Sequence, residues 1–560
     1  MIGRRWFVRV VVLALGAGAL AIPVAHAVSD EQVSKVLLDH VSQSVVLNYF
    51  ANHPDEAPPP LDKRLGALRA QNAPQGRHVN SCAGNANKDA FNCDDVGLPQ
   101  NEESVGTCAT NDDLVLEGTN DYRGLLDPAG NSTGWHWSTD AGHSVRNEGL
   151  LPPVTLVKLP ASHDVPSGGD PVDFIPRGCD SVYAASLAYN PEDPFGDPNG
   201  VAVYKSTPAI LSSCPGGSDP ACWPVRRPIA EADQGHFLDK EWMFVGEQNG
   251  VRYVWVTYTD FAIDQNAPTG FSGASIKAVR CDENLVTCTQ PIPISTTDRD
   301  VQFSDVTVGQ DGRTYITWSQ IVGELEQTDQ TFIHKIRVET TPGSGVFGPE
   351  HVIHTETRAI PFGGFLHGDD FRIATMQKND VVPYQGHQRI FDVWDACRVR
   401  ILGTICEEPQ VKLSYSDDDG ATWVGPIVLS NGGDNYFPTI SADRSGTTDN
   451  LAVGWFSNAY DNMFHNAQDV VATSIDVSTG QARGIKRLTQ SPNEPEADPL
   501  LGGVFIGDYI EGVLVQGNRY HLGYNANYRK VPLFGGFGDP FNTLTPLNQQ
   551  DNYVGVTGLN

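Results

Sequence analysis

Apolar positions change their spacing twice along this chain. From residue 8 to residue 22 they form one run, interrupted by Arg9, behind Met1-Ile2-Gly3-Arg4-Arg5 and ahead of Ala25-His26-Ala27. Basic residues, an apolar stretch and a small-residue site in that order predict a secretory signal peptide over 1–27, cleaved after Ala27. Val33, Val36, Leu37, Leu38, Val41, Val45, Val46 and Tyr49 then recur at helical spacing, until Pro54 and Pro58-Pro59-Pro60 break it. A helical arm and a Pro-rich linker are expected over 28–77, either a packing arm or a propeptide. From about residue 100 the apolar residues alternate with polar ones, as in half-buried strands.

The clearest of these strands cover 114–118, 182–187, 253–258, 314–318, 390–394, 451–456 and 520–524, and begin roughly 61 to 76 residues apart. Each is the second strand of a unit of four. Such a recurrence predicts a radial array of sheets rather than a solenoid: an all-β propeller of four-stranded blades over 78–560. Seven blades are counted, with six as the alternative. The last has strands around 506–515, 520–524 and 552–556 and lacks a clear fourth, which the segment before residue 100 is expected to supply. Past the leading segment, no stretch is long and apolar enough to span a bilayer.

Charge narrows the partners. The formal net charge is −30, and the leading segment carries only Arg4, Arg5 and Arg9, so the chain beyond it is more acidic still. Nucleic acid and anionic lipid are repelled by such a chain. The charge reads as solubility outside the cell; calcium would be the sharper reading, but no ligand spacing asks for it, and no cofactor is expected. Ten cysteines in an exported chain predict disulfides. Four pairs lie close in sequence: Cys82 with Cys93, Cys214 with Cys222, Cys281 with Cys288, and Cys397 with Cys406. Cys108 and Cys179 are left for each other. Without Cys-x-x-Cys a zinc ribbon is not expected, and His236, His367 and His387 stand alone without metal spacing. No Gly-x-Ser-x-Gly supports a Ser-His-Asp triad.

Residues 411–430, VKLSYSDDDGATWVGPIVLS, read as strand, tight turn and strand. Ser416, Asp418, Gly420, Thr422 and Trp423 fit S-x-D-x-G-x-T-W, and this hairpin resembles the Asp-box, or BNR repeat, of sialidase-like β-propellers. Ser138-Thr139-Asp140-Ala141-Gly142-His143-Ser144 is a degraded copy without the Trp. At the same turn the next two units carry Cys214/Cys222 and Cys281/Cys288, expected to staple the hairpin where the box is lost. Cys108 and Cys179 would link neighbouring blades. Asn120-Asp121-Tyr122-Arg123, Gly169-Asp170-Pro171, Asp239-Lys240-Glu241-Trp242, Phe371-Arg372-Ile373 and Gly507-Asp508-Tyr509 extend the resemblance over most of 100–530, to exported bacterial sialidase-like proteins. The box itself staples a hairpin and speaks for fold rather than activity.

Propeller topology sends starts of first strands and ends of second strands to one face, opposite the boxes. Asp121, Tyr122, Arg123, Asp170, Asp239, Lys240, Glu241, Asp260, Asp305, Arg372, Asp395, Arg398, Asp508 and Tyr509 should therefore gather around one mouth. The resemblance implies glycan chemistry there, with exo-α-sialidase hydrolysis as its enzymatic form. Arg372, in an element similar to the family's F/Y-R-I-P but with Ala374 for Pro, would clamp a carboxylate with Arg123 and Arg398. Tyr509, or Tyr122 or Tyr258, would be the nucleophile with Glu241 as activator, and Asp239 would handle the proton. Asp121, Tyr122, Asp170, Asp260 and Asp508 would bind ligand. The plain structural alternatives pair Arg372 with Asp369 or Asp370, make the aspartates turn caps, and make Tyr509 and Trp242 blade packing. At the level of the whole protein, the alternative is a non-catalytic propeller that binds an extracellular glycan, glycoconjugate or protein, with another polysaccharide-cleaving activity as a third reading. Three arginines near one Tyr–Glu pair would speak for sialidase chemistry, and an acidic mouth without them would repel an anionic substrate.

Overall fold

Among the described residues seven larger sheets succeed one another along the chain, antiparallel but for one added strand in the fifth, beside two separate two-stranded pairs. The computed structural model describes residues 35–559 except 60, 71–90, 94–96, 128, 159–162, 196–198, 265, 268, 297–298, 324–329, 462, 465 and 532–546. The expected signal peptide and Cys82 lie outside the described residues.

Blade 1 runs Gln100–Thr107, Val115–Asp121, Thr133–Ser138, Asn147–Leu150; blade 2 runs Val172–Phe174, Val182–Tyr189, Asn199–Ser206, Val225–Glu231. Blade 3 has His236–Gln248, Val251–Ile263, Phe271–Asp282 and Ile292–Pro293, and blade 4 has Val301–Val308, Thr314–Val322, Thr331–Val338 and His351–Glu356. Blade 5 has Gln377–Tyr384, His387–Ile401, Ile405–Ser416 and Val424–Val428, with Phe365–Leu366 added in parallel to its third strand. Blade 6 has Asn435–Ala442, Leu451–Ser457, Asp469–Asp476 and two short outer pieces, Gln481–Ala482 and Lys486–Arg487. Blade 7 has Gly512–Val515, Arg519–Ala526 and Asp551–Gly558. The fold is thus the seven-bladed, all-β propeller that the strand recurrence predicts.

Each second strand carries large apolar side chains because both its faces are covered by neighbouring blades. Tyr183, Trp255, Trp318, Trp394, Trp455 and Tyr520 are fully buried there. Buried indoles need a partner for their N–H. Trp394 donates to Glu356 Oε2 at 3.2 Å and Trp455 to Asn435 Oδ1 at 2.9 Å.

The first strand of every blade is a sheet edge, so its outward N–H groups need acceptors from elsewhere. Carboxylates of the adjacent blade supply them. Asp305 accepts from Asn379 N–H at 2.6 Å, Asp380 from Ala442 N–H at 2.7 Å, and Asp395 from Phe437 N–H at 3.0 Å. Asp305 and Asp395, expected at the mouth, are therefore staples between blades. The ring closes between blades 7 and 1, where Glu103 bridges Ile510 in parallel and Asn525 reaches Glu103. Phe91 N–H donates to Asn552 O at 2.8 Å, so the chain ahead of blade 1 meets the outer strand of blade 7. It does so by contact rather than as a fourth strand among the described residues.

The hairpin turns behave as expected. Ser416 Oγ accepts from Gly420 N–H at 3.0 Å, Asp418 accepts from Thr422 N–H at 2.8 Å, and Trp423 Nε1 donates to Gly420 O at 2.9 Å. Ser138, Asp140, Gly142 and Ser144 make the same set without the indole. Cys214–Cys222 and Cys281–Cys288 occupy the corresponding turns of blades 2 and 3, and Cys397–Cys406 ties the second and third strands of blade 5. Cys108–Cys179 joins blades 1 and 2 across 71 residues of sequence, with Cα atoms 5.5 Å apart. A disulfide restrains the unfolded chain more as its loop grows. Replacing both cysteines of this pair by Ala should cost about 2–4 kcal/mol, near the upper end, measured as a lower urea midpoint. The eight-residue Cys214–Cys222 separation should cost less.

Ahead of blade 1 the described residues of the arm form three helices: α1 (Lys35–His40), α2 (Gln43–Asn52) and α3 (Leu61–Ala70). The third corrects the expected linker. Pro58–Pro60 does not end a helix but precedes one, and Asp62 N–H bonds back to Pro58 O. Proline lacks a donor, but a helix start has no partner for that donor anyway.

Candidate functional site

The rim of one propeller face is built by a repeated backbone device. Glu102, Lys240, Phe303 and Phe437 have φ between 50° and 58°, the left-handed region. Each sits where its first strand slips against the second: between Asn101 and Ser104, Asp239 and Trp242, Gln302 and Asp305, Tyr436 and Thr439. Such bulges leave one residue out of the ladder and re-aim side chains. Asp170 (φ 54°) and Gly507 (φ 103°) adopt the same conformation just ahead of blades 2 and 7. Left-handed backbone costs a non-glycine residue on the order of 1–3 kcal/mol, and strain of this kind collects at functional sites.

The bulges at Glu102 and Lys240, the segments ahead of blades 2 and 7 that carry Asp170 and Asp508, and Arg372 ahead of blade 5 bring charges together. Asp508 Oδ2 accepts from Arg372 Nη2 at 2.6 Å and from Lys240 Nζ at 2.8 Å. Its backbone N–H donates to Glu102 Oε1 at 3.1 Å. Lys240 Nζ also stands 4.0 Å from Asp170 Oδ2, and Asp170 N–H is held by Asn120 Oδ1 at 2.8 Å. Asp239 precedes Lys240 and is fully buried.

Environment splits the protonation of these carboxyls. Arg372 and Lys240 hold Asp508 below the usual carboxylate range, against the effect of its burial. Burial, with Asp170 nearby, pushes Asp239 up to about 7. Glu102 and Glu241 are raised well above the ordinary glutamate value, first by burial and then by the charge of Asp170. Beneath the rim, Lys378 Nζ lies 2.7 Å from the Trp242 ring centre, and burial lowers its pKa to about 8. Glu241, Lys378, Trp242 and Tyr509 line a cavity of about 20 Å³, room for one water.

The remaining expected residues lie elsewhere or are engaged. Arg123 is sealed in blade 1, bonded to Asp121 and, at 3.2 Å, to Glu148; Asp121 is its counter-ion rather than a ligand group. Arg398 is exposed at the edge of blade 5 and pairs with Glu408. Asp260 is held by His236 at 2.6 Å and by Lys277. Tyr509 is buried, donates its hydroxyl to Pro171 O at 2.9 Å, and packs edge-on against Trp242. Tyr122 is buried with its hydroxyl 3.5 Å from Asn101, and Tyr258 is buried in blade 3. Arg372 pairs with Asp508, not with Asp369 or Asp370.

Sequence reasoning left out Glu102, Ser42 and Gln43. The signal for Glu102 was its place two residues inside a first strand, where Gly169-Asp170 and Gly507-Asp508 mark neighbouring blades. A side chain at Gly169 would meet Ser44, its Cβ 2.5 Å from the Ser44 hydroxyl. That contact introduces the arm. The turn between α1 and α2 lies across the rim. Ser42 N–H donates to Asp239 Oδ2 at 2.8 Å, and Ser42 Oγ bonds Asp170. Arg372 Nη1 donates to Val41 O at 2.9 Å and to Gln43 Oε1 at 3.2 Å.

No family model and no curated protein matches this chain. Solved structures do share its outline at a distance. A protein of unknown function from Dyadobacter fermentans is 10% identical, with a TM-score of 0.41 over 70% of this chain and 94% of its own. The Hadza microbial sialidase Hz136 is 12% identical, with a TM-score of 0.39 over 70% of this chain and 75% of its own. An α-L-arabinanase of Penicillium chrysogenum, solved with arabinobiose, is 10% identical, with a TM-score of 0.36 over 86% of this chain and 98% of its own. None of the three reaches a TM-score of 0.5.

Proposed function

We propose that this is an exported propeller that acts on extracellular glycans at the mouth bounded by Glu102, Asp170, Asp239, Lys240, Arg372 and Asp508. One observation carries the reading: the starts of separate blades bring the carboxyls of Glu102, Asp170, Asp239 and Asp508 into one place, where burial raises Asp239 and neighbouring cations hold Asp508 low. Glycoside hydrolysis needs such a pair, one carboxyl holding its proton and one ionised. Asp239 is the proton donor in this reading, and the carboxylates of Asp508 and Asp170 are the anionic partners. Arg372 and Lys240 hold Asp508 charged and offer donors to sugar hydroxyls. Four disulfides among the described residues support export. Among those residues no helix is long and apolar enough to cross a membrane.

The narrower sialidase reading needs three arginines at the mouth. Of the three expected, only Arg372 is there, Tyr509 is committed to Pro171, and four carboxyls bound the opening. A neutral glycan therefore suits it better than a sialoside. The test offers neutral chromogenic glycosides and oligosaccharides, beside a fluorogenic sialoside, to the protein, intact and clipped ahead of Phe91. Asp239→Asn should lower kcat about 100-fold or more, the usual worth of a positioned acid. A second reading, recognition without turnover, is favoured by the arm lying across the rim. Binding that survives Asp239→Asn, with no turnover in either form, would establish it.

A further inference from the structure

The arm meets the mouth with groups that resemble those of a sugar. A hydroxyl, that of Ser42, sits on Asp170. A polar N–H sits on Asp239, and two carbonyl oxygens, from Val41 and Gln43, sit on Arg372. These are the acceptor and donor positions that a glycan in the mouth would use. Ser44 Oγ donates to Gly168 O at 2.7 Å, and Asn48 Nδ2 to the Tyr189 hydroxyl at 2.8 Å, so the contact continues outward over blade 2. Asn52 then reaches Pro191 O at 2.6 Å. On the far side His40 stands 3.0 Å from Asp300 and stacks on Phe362, which fastens α1 over blades 4 and 5.

Packing supports these bonds. Leu37, Leu38, Val41, Val45, Val46, Leu47, Tyr49 and Phe50 are all buried. Helices this short do not hold themselves in water and take their order from the surface that they cover. The polar residues of the turn are also buried, with Ser42 at 0% and Gln43 at 7% exposure. A segment that served only to add apolar cover would not need to place a serine turn over the most charged point of the face. Buried hydroxyls and carbonyls cost free energy unless they are paired, and here the rim charges pair them.

We infer that residues 35–52 are an internal ligand of the propeller, with the Ser42 turn occupying the glycan position and holding the site closed. The inference rests on the glycan reading for the identity of what is displaced, but not for the occupancy itself. Withdrawing the segment frees Asp170, Asp239 and Arg372 together. Because the arm is tethered, its effective concentration at the mouth is on the order of millimolar, and a free glycan competes poorly with it.

A site-specific protease sequence inserted between Ala70 and Cys82 of the full chain allows the arm to be cut after folding, so folding itself is not in question. The released fragment is removed, and turnover and binding of neutral oligosaccharides are compared before and after. A synthetic peptide of residues 35–52 is then added back. At least a tenfold rise on release is expected, with competitive suppression by the peptide and weaker suppression by a peptide carrying Ser42→Ala and Gln43→Ala. Equal turnover before and after release would overturn the inference while leaving the glycan reading intact. So would a peptide that rebinds without competing. A freed protein that takes no glycan, yet rebinds the peptide in a way lost in Asp170→Asn and Arg372→Ala, would uphold the internal ligand and refute the glycan reading.

Discussion

Asp508→Ala should destabilise the protein by about 5 kcal/mol, the largest effect expected of any single substitution at the mouth. Asp508 is 1% exposed and is the shared anion of Arg372 and Lys240. Its removal leaves two cations facing each other with little water to relieve them. Breaking a buried pair is costly for this reason, because the uncompensated charge remains inside. Asp508→Asn keeps the shape and an acceptor oxygen but not the charge, so it should fall between Ala and the natural residue. The double change Asp508→Asn with Lys240→Met removes one orphaned cation and should recover part of the loss. Urea midpoints of the four proteins at constant pH test this. Equal stability of Asp508→Asn and the double variant would show that Lys240 is no burden once Asp508 is uncharged, against the expected recovery.

Much of the fold is legible because a propeller repeats one simple pattern. Residues 182–187, 314–318 and 451–456 read as strands from their alternation and aromatics, and each lies within the second strand of a blade. The turns were legible too: Ser416, Asp418 and Gly420 close their hairpin by side chain to backbone bonds within five residues, which local sequence determines. Helix α3 was not. Pro58-Pro59-Pro60 excludes a helix through it but says nothing about one that starts behind it.

The mouth was legible only as a set of chain positions. Topology brings Asp170, Asp239 and Asp508 to one face whatever their side chains do. It does not say where each side chain points. Arg123 follows a strand end, as Asp239 precedes a bulge, but a short 3-10 turn over Tyr122–Leu126 folds it back onto Asp121. Arg398 lies on His387–Ile401, a strand of 15 residues that runs past the rim and carries its end outward to solvent. Neither event has a spacing signature. The arm was harder still, since Ser42 and Asp239 are separated by 197 residues and pair through long-range packing alone.

The same buried carboxyls give the protein a stability that falls as pH rises from 5 to 8. Asp239 and Asp395 are raised to about 7, Asp305 to about 6, and Asp369 to about 8, in each case first by burial. Aspartate in an unfolded chain titrates near about 3.9. Between the two values the folded protein holds more protons than the unfolded one, so stability decreases with pH across that window. Carboxylates held low act at the other end. Asp508 and Asp121 stay charged beside their cations when folded, and the stability they add is lost as pH falls below about 4 through their folded values. Lys378, lowered to about 8, works in the opposite sense to the raised acids, returning stability above that pH. The maximum is therefore expected near pH 4, where the unfolded aspartates begin to ionise and the carboxylates held low are still charged. From there to pH 8 the loss should amount to several kcal/mol, since one pKa unit corresponds to about 1.4 kcal/mol. Urea midpoints at fixed ionic strength measure it, and Asp395→Asn, which keeps an oxygen for the Phe437 N–H, should flatten the slope. Midpoints that stay level from pH 5 to pH 8 would mean that these carboxyls ionise in the folded protein as readily as in the unfolded one.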